Sequence, residues 1–240
     1  MQMFCVRRQV SGFTLVELLT VIAIIGILAA ILGGVVSGVR EQQEKVVCAQ
    51  NMRQLGTAIL LHANEHQGRF PLTMHNVSDE EESWVYTLSP YLEDVDAVRV
   101  CPADPQAEER LEQGLSSYAL NEFVFVPALD QLGRPLGGSY DSVFKLDDPA
   151  RTQLAYIISD QKPLSAYSDH THSRGWKNWS RVVADIQPNR FSRGESAANG
   201  LGGSANYLFA DGHVELVDAD DFKSQFSGGR NPADPTQTYR

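Results

Sequence analysis

Two histidines lie close together in the segment Asp169-His170-Thr171-His172. Imidazole nitrogens and carboxylate oxygens bind zinc, and two histidines with this spacing could bind one ion from a strand. Asp160 could supply a further oxygen. No second group of potential ligands has a matching spacing, and a polar loop accounts for the segment more simply. The sequence therefore predicts no metal site here.

Three acids near the C-terminus, Asp218, Asp220 and Asp221, could contribute oxygens to a calcium site. Their spacing does not match the ligand pattern of an EF-hand loop. A solvated acidic turn explains them better, so we expect no calcium site either.

An acid and a histidine flank a glycine in Asp211-Gly212-His213, which could suggest a catalytic pair. Neighbouring residues on a strand point to opposite faces, so a hairpin turn is the better explanation. The sequence has no nucleophile elbow, phosphate-binding loop or paired carboxylates of any specificity. We therefore expect neither enzymatic activity nor a cofactor.

One acid is unusual because of its surroundings. Residues 13–39 read FTLVELLTVIAIIGILAAILGGVVSGV, and Glu17 is their only ionisable side chain. As a helix this run would be about 40 Å long, more than the roughly 30 Å hydrocarbon core of a bilayer. Inserting a carboxylate there costs several kcal/mol unless it is paired. We therefore expect Glu17 to have a partner.

The residues before the apolar run carry positive charge. Residues 1–12 read MQMFCVRRQVSG and include two arginines. A short positive segment before a long apolar one predicts a cytoplasmic N-terminus and an exported C-terminal domain. A secretory signal peptide would have a shorter apolar stretch and then a small-residue cleavage site, which Ala29-Ala30 could imitate. An uncleaved signal anchor fits the hydropathy but leaves Glu17 unexplained.

The segment from Gly12 to Glu17, where the basic leader meets the apolar run, resembles the type III signal of type IV pilins and type II secretion pseudopilins. That signal has Gly before the scissile bond, Phe after it, and Glu four residues beyond the Phe, as Gly12, Phe13 and Glu17 are placed. The resemblance implies that a prepilin peptidase removes residues 1–12 and methylates the new amine of Phe13. It also implies that this cationic amine pairs with Glu17 of the same or a neighbouring subunit.

The same resemblance implies a structural role rather than catalysis. The expected protein is a single-pass protein of the cytoplasmic (inner) membrane with a periplasmic domain, and it assembles with other pilin or pseudopilin subunits into a filament. Its expected partners are prepilin peptidase, those subunits and the membrane. Nucleic acid is not expected, because the formal net charge is −10 and the pI about 5.0, whereas phosphate binding needs a clustered positive surface.

A single helix is predicted over residues 13–66. Residues 13–39 form its transmembrane and assembly part, and residues 40–66 its amphipathic continuation. Side chains at alternating steps of four and three form a helical stripe in the second part: Cys48, Met52, Leu55, Ile59 and His62. Gly68 and Pro71 predict where the helix ends.

Residues 67–240 are predicted to form the exported globular domain. They are rich in Gly, Pro, Asp, Asn and Ser between short apolar runs, a composition that favours short strands and long loops. Strands are predicted over residues 117–126, 153–158 and 181–184, and a short helix over residues 84–92. The expected fold is α+β and pilin-like, with the long helix packed on an antiparallel sheet.

A hairpin is the clearest element of this domain. The runs ANYLFA and HVELV flank Asp211-Gly212. Asp-Gly between alternating runs predicts a two-residue turn in which both residues have positive φ.

Several islands of sequence resemble a bacterial subfamily described as prepilin-type processing-associated proteins, related to the major pseudopilin. The islands are the run beginning at Cys48, the tetrapeptide Cys101-Pro102-Ala103-Asp104, the segment SYALN at residues 117–121 and the hairpin ANYLFADGHVE. Many members have a histidine ten positions before the Asp-Gly, where this chain has Leu201.

The cysteines could form one disulfide. Cys5 falls in the predicted leader, which leaves Cys48 and Cys101. Outside the cytoplasm disulfides persist, and a bond between these two would tie the helix to the loop beginning at Cys101. Two buried free thiols are the alternative.

Two other functions stay open at this point. The chain could be an exported enzyme or metal-binding domain that uses the same anchor. It could also be a minor tip subunit that binds cargo, a surface or a polysaccharide. Exposed side chains at Trp176 and Trp179 would suit that role, although packing in the core explains two tryptophans equally well.

Overall fold

The computed structural model describes residues 14–74, 82–92, 96–128, 132, 134, 140–192, 198–227 and 229–237. Contacts divide the chain into two compact units, Met1–Gln42 and Gln43–Arg240. The helices are α1 (Leu15–Glu65), α2 (Trp84–Thr87), α3 (Ala107–Glu112), α4 (Glu122–Phe125), α5 (Trp179–Val183) and α6 (Ala219–Ser227). The strands are β1 (Tyr118–Leu120), β2 (Gln153–Ile157), β3 (Phe191–Ser192), β4 (Gly203–Phe209) and β5 (Val214–Asp218). Short 3₁₀ helices lie between them, among them Ser89–Leu92, Asp96–Arg99 and Ser173–Gly175.

The long helix predicted from the sequence is confirmed over the described residues, since α1 contains 51 residues. Within Gln43–Arg240 its buried face carries the predicted stripe: Cys48, Met52, Leu55 and Ile59. The helix ends where expected. Gly68 has a φ of 83°, and its amide donates to the Ala63 carbonyl at 2.7 Å. This left-handed helix end is one that glycine adopts without strain.

The large apolar side chains at the start of α1 are exposed, from Leu15 (78%) to Leu28 (54%). In the described part of the chain, no helix combines the length and the hydropathy needed to cross a membrane. The membrane span predicted over residues 13–39 therefore stays a prediction.

The described strands form one antiparallel sheet in which β4 has three neighbours. One edge of β4 pairs with β5 over Ser204 to Leu208. The other edge is shared, because β3 pairs with its first residues and β2 with its last. β1 lies outside β2. The architecture is α+β and is consistent with the expected pilin-like fold.

The second part of α1 packs on β4. A Cβ built on Gly56 would lie 2.7 Å from Cδ1 of Leu208, so the two elements are close only because this helix position has no side chain. The Asn206 side chain, which is buried, donates to the Lys45 carbonyl at 3.0 Å. A buried amide without a partner would be costly, so this contact helps to fix the helix against the strand.

Two of the predicted strands are wrong over part or all of their length. Residues 117–126 contain only the short strand β1, because the Asn121 side chain accepts the Phe123 amide at 3.0 Å and begins α4. Residues 181–184 are not a strand, because Asn178 accepts the Arg181 amide at 3.1 Å and begins α5. Both errors have the same cause, an asparagine that caps a helix. Strand β2 and the short helix beginning at Trp84 are confirmed.

The predicted hairpin is confirmed as β4 and β5, but the predicted turn type is wrong. Gly212 has a φ of 89°, whereas Asp211 does not have a positive φ. The Gly212 amide donates to the Phe209 carbonyl, and the Phe209 amide donates to the His213 carbonyl, both at 2.9 Å. The loop is therefore three residues long, with the left-handed residue last. The Asp211 carboxylate accepts the His213 amide at 3.1 Å, a local contact that stabilises this turn.

Candidate processing and assembly site

The site predicted at the N-terminus lies partly outside the described residues. Gly12 and Phe13, the residues on either side of the predicted scissile bond, belong to that part. The described chain begins at Thr14, one residue after the predicted new N-terminus. Thr14 and Glu17 are therefore the residues of this site whose contacts are described below.

Thr14 and Glu17 form reciprocal contacts at the first turn of α1. The Thr14 amide donates to Glu17 Oε2 at 2.8 Å, and the Thr14 hydroxyl donates to the same oxygen at 2.7 Å. The Glu17 amide donates to the Thr14 hydroxyl oxygen at 3.3 Å. This is a capping box, in which two residues three apart satisfy each other's amides at the start of a helix. Glu17 thus has a local partner, Thr14, that was not among its predicted partners.

The capping box determines where the Glu17 carboxylate lies. Because Oε2 accepts the Thr14 amide, the negative charge lies beside the first residues of the helix rather than further along it. The positive end of the helix dipole also favours an anion there. A cationic amine on the residue before Thr14 would therefore lie close to this carboxylate.

Exposed apolar side chains surround this charge on α1. Those with large side chains between residues 15 and 22 are all about half exposed or more: Leu15, Val16, Leu18, Leu19, Val21 and Ile22. Among the described residues of Met1–Gln42, no side chain covers this apolar area. Burial against other apolar groups is favourable by roughly 25 cal/mol per Å², so this surface favours contact with lipid or with other helices.

The histidine segment weighed as a metal site has structural contacts instead. Asp169 Oδ1 contacts His170 Nδ1 at 2.8 Å, and its other oxygen accepts the Met74 amide at 2.9 Å. Asp160 lies in an ion pair with Arg190. Among the residues that the structure describes, no group of three or more His, Cys, Asp or Glu side chains is arranged to hold a metal ion.

The second histidine of that segment belongs to a cluster around Asp185. The Asp185 carboxylate accepts the His172 amide at 2.6 Å, Trp176 Nε1 at 3.0 Å and Lys162 Nζ at 2.9 Å. Burial disfavours its charge, but the His172 ring, the Lys162 ammonium and the His172 amide outweigh burial and lower the pKa of Asp185 to about 2. The hydrogen bond to Asp185 raises the pKa of His172. The cluster lines a cavity of about 220 Å³ together with Arg181.

The side chains of Trp176 and Trp179 are not both exposed, as a binding surface would need them to be. Trp176 is 5% exposed and packs edge-on against Tyr156. Trp179 is half-buried and lies near Phe222. Core packing accounts for both side chains, so they do not favour a tip-binding role.

The C-terminal acids stabilise a helix start. Asp218 Oδ1 accepts the Asp220 amide at 2.8 Å, and Asp220 and Asp221 lie in the first turn of α6. Acids at this position are favoured by the helix dipole. This arrangement explains the three acids without a metal.

The structure brings Cys48 and Cys101 together as free thiols. Both are fully buried in one cluster of side chains, and Cys101 lies near enough to lower the pKa of Cys48. The two predicted partners are therefore neighbours, while the disulfide itself stays a prediction.

Asp104, the last residue of the tetrapeptide that begins at Cys101, has a structural role in a buried ion pair. Asp104 Oδ2 accepts Arg110 Nε at 2.8 Å and the Ser117 hydroxyl at 2.6 Å. Both charged side chains are at most 2% exposed. The sequence does not reveal this partner of Asp104, because Arg110 lies on α3 and nothing in its spacing marks it as buried.

Comparison with known proteins supports the N-terminal assignment. Residues 7–33 match the family model described as the prokaryotic N-terminal methylation motif. The match includes Gly12, Phe13 and Glu17. The match is consistent with a prepilin-type pilin or pseudopilin, but it does not identify a subgroup of that family. It indicates processing by prepilin peptidase and pilin-type assembly, and it suggests a membrane-anchored exported protein. No curated protein and no solved structure matches the chain.

Proposed function

We propose that this chain, whose N-terminal motif is that of prepilin-type proteins, is a structural subunit of a type IV pilus-like filament or of a type II secretion pseudopilus. The observation that carries the proposal is the methylation motif over residues 7–33. The long helix α1 and the antiparallel sheet support it, because they are the parts that such a subunit needs.

The first step is cleavage after Gly12, which creates a new amine on Phe13. Methylation leaves that amine cationic. The Glu17 carboxylate supports the role of a counter-charge, because it lies 2.8 Å from the amide of the adjacent Thr14. At 4 Å two opposite charges attract by about 1 kcal/mol in water and about 4 kcal/mol near a protein surface. The attraction therefore grows as helices pack around the pair.

The second step is assembly through α1. Before assembly, residues 13–39 hold the subunit in the cytoplasmic membrane as a single span, and Gln43–Arg240 lies in the periplasm. In the filament the exposed apolar side chains of α1 pack on the helices of other subunits, so leaving the bilayer does not expose them to water. A Glu17 carboxylate that met the amine of a neighbouring subunit would fix the axial register between the two helices.

The proposed role does not include catalysis. Three acids that could serve an enzyme, Asp169, Asp185 and Asp211, are engaged in contacts that stabilise loops and turns. Those contacts give each of them a structural role, which supports a subunit rather than an enzyme.

Mass spectrometry of the N-terminal peptide tests the proposal. The chain is produced in cells with and without prepilin peptidase and recovered from the membrane fraction. We expect a mature chain that begins with N-methyl-Phe13 when the peptidase is present, and an intact leader when it is absent. The control variant Gly12→Leu places a bulky side chain before the scissile bond and should leave the leader in place. A wild-type chain that keeps residues 1–12, or is cut beyond Ala30, would refute the proposal.

A further inference from the structure

Cys48 and Cys101 meet in the core of Gln43–Arg240, although they come from distant parts of the sequence. Cys48 lies on α1, and Cys101 follows the 3₁₀ helix Asp96–Arg99. Both side chains have zero exposure and belong to one cluster of buried side chains, and each thiol shifts the pKa of the other. Polar contacts join the same two segments nearby, because Asn51 Nδ2 donates to the Val100 carbonyl at 2.9 Å. This hydrogen bond therefore fixes the position of α1 relative to the segment before Cys101, beside the two thiols.

The surroundings of the pair are polar on the Cys48 side. The Tyr118 hydroxyl donates to Cys48 Sγ at 3.6 Å, and the nearby Asn206 amide also favours the Cys48 thiolate and lowers its pKa. The guanidinium of Arg190, which is 1% exposed, adds a positive charge. Burial raises the pKa of Cys48, but these contacts and the one from Cys101 outweigh burial and lower it. The pKa of Cys101 is raised well above its usual value by burial and by Cys48.

We propose that Cys48 and Cys101 are a modification site, converted to a disulfide after export, and that the free-thiol structure is the reduced form of this pair. The co-reactant is the disulfide of an extracytoplasmic thiol–disulfide oxidoreductase. The inference rests on the proposed function, because it needs delivery to a compartment where disulfides persist.

The chemistry balances as an exchange of disulfides. The Cys48 thiolate attacks one sulfur of the oxidoreductase disulfide and forms a mixed disulfide, while the second sulfur of the oxidoreductase leaves as a thiolate. The Cys101 thiol loses its proton to solvent and attacks the Cys48 sulfur. The Cys48–Cys101 bond forms, and the first oxidoreductase sulfur leaves as a thiolate. Two thiols of this chain are oxidised, and one disulfide of the oxidoreductase is reduced to a dithiol.

Burial determines when the bond forms and how long it lasts. A protein oxidant cannot reach sulfurs with zero exposure, so the exchange takes place before the core closes over them. After folding, the same burial keeps reductants away from the bond. The result is a permanent covalent tie between α1 and the segment that begins at Cys101, rather than a reversible switch.

Differential alkylation of the membrane-fraction protein tests the inference. The chain is unfolded in denaturant with iodoacetamide and no reductant, then digested and analysed by mass spectrometry. We expect a Cys48–Cys101 linked peptide with neither thiol alkylated. The N-terminal peptide is read in the same sample. A chain that begins at methylated Phe13 but carries alkylated Cys48 and Cys101 contradicts the disulfide alone, whereas an intact leader contradicts the proposed function.

A second experiment tests the pair without export. The full chain with Cys5→Ser is purified in detergent under reducing conditions, unfolded, and refolded in a glutathione redox buffer. We expect the intramolecular bond to form, and the urea midpoint of the oxidised chain to exceed that of the reduced chain. The bond should resist dithiothreitol in the folded chain and be reduced at once in denaturant. Refolded protein that keeps both thiols, or mixed disulfides with glutathione on each, would overturn the inference.

The matched variants are Cys48→Ser and Cys101→Ser in the Cys5→Ser background. Each keeps a small polar side chain at its position but cannot form the bond. Their urea midpoints should be the same in oxidising and reducing buffer. A midpoint that still rose in oxidising buffer in these variants would show that the gain has another source and would count against the pair.

Discussion

Glu17 Oε2 accepts both the amide and the hydroxyl of Thr14, at 2.8 and 2.7 Å. One carboxylate thus has two possible uses, as a helix cap and as the counter-charge of the amine that cleavage creates. A cap of this kind is worth about 1 kcal/mol. An opposite charge at 4 Å is worth about 4 kcal/mol where water is partly excluded. The charge effect is the larger, and we infer that it decides assembly while the cap positions the carboxylate.

The first prediction separates these two uses. Glu17→Gln keeps an acceptor oxygen for Thr14 but removes the charge. We expect normal removal of the leader, because the cleaved bond lies outside the capping box, and loss of assembly into filaments. Processing is measured by mass spectrometry and assembly by the yield of filaments sheared from cells. Normal assembly of this variant would contradict the charge-pairing mechanism.

The matched control is Thr14→Ala, which removes the hydroxyl and keeps the carboxylate. It should weaken the first turn of α1 by about 1 kcal/mol and leave filaments detectable at reduced yield. If Thr14→Ala abolished filaments while Glu17→Gln did not, capping rather than charge would be the decisive contact.

The second prediction concerns the buried ion pair of Asp104 and Arg110. Asp104→Asn keeps the shape of the side chain but leaves the Arg110 charge buried without an acid, because both side chains are at most 2% exposed. Breaking such a pair costs about 3–5 kcal/mol. Urea unfolding should show a fall of that size in the free energy of unfolding. The control Asp141→Asn breaks the exposed pair with Lys145 and should cost less than about 1 kcal/mol. Equal effects of the two variants would contradict the role of burial.

The third prediction tests the packing of α1 on β4. Gly56→Ala adds a Cβ that would lie 2.7 Å from Leu208 Cδ1. The better helix propensity of alanine is worth up to about 1 kcal/mol, but overpacking a core costs about 1–3 kcal/mol. We expect a net loss of about 1 kcal/mol in the free energy of unfolding. Gly175→Ala has open space around its Cβ and should change stability by less than about 0.5 kcal/mol. A stabilising Gly56→Ala would show that Leu208 moves aside freely.

The fourth prediction is a loss of stability in acid that involves Asp185. Its pKa falls from 3.8 to about 2 on folding, because the donors around it outweigh burial. A lowered pKa gives stability that is present above pH 3.8 and is lost as the pH falls through about 2. The shift corresponds to about 2 kcal/mol. Urea midpoints at pH 5 and pH 2 should therefore differ less for Asp185→Asn than for the wild type. Equal differences for the two proteins would contradict the assignment.

The contribution of His172 to stability should be lost as the pH rises, whereas that of Asp185 is lost as the pH falls. Its pKa is raised by the hydrogen bond to Asp185. The stability from its charge is therefore fully present below pH 6.5 and is lost as the pH rises through the raised value. The side chain is 57% exposed, so we expect this loss to be smaller than that of Asp185.

The sequence predicted the long helix and the hairpin strands because their patterns are local. The stripe from Cys48 to Ile59 has helical spacing, and the two runs around Asp211 alternate. The errors arose where one side chain changed the backbone. Asn121 and Asn178 cap short helices inside segments with strand composition. The contact of Asp211 with the His213 amide accompanies a longer turn than Asp-Gly predicts.

The functional residues, unlike the main elements of the fold, could be predicted from the sequence only in part. The cleavage motif was visible because its residues are adjacent in sequence. The capping box has a sequence signature as well, because Thr14 and Glu17 have the required spacing of three, although the prediction for Glu17 named only the cationic amine as its partner. The ion pair of Asp104 with Arg110 was not accessible, since it depends on how α3 packs on the loop before it.

The exposed apolar side chains at the start of α1 have a consequence for a single copy in water. The core of Gln43–Arg240 is buried without them, so folding of that unit and solubility of the chain depend on different residues. In water, copies of the chain would associate with one another through Leu15, Ile22 and their neighbours, while the sheet of each copy stayed folded. Detergent should therefore disperse the protein without being needed to fold it.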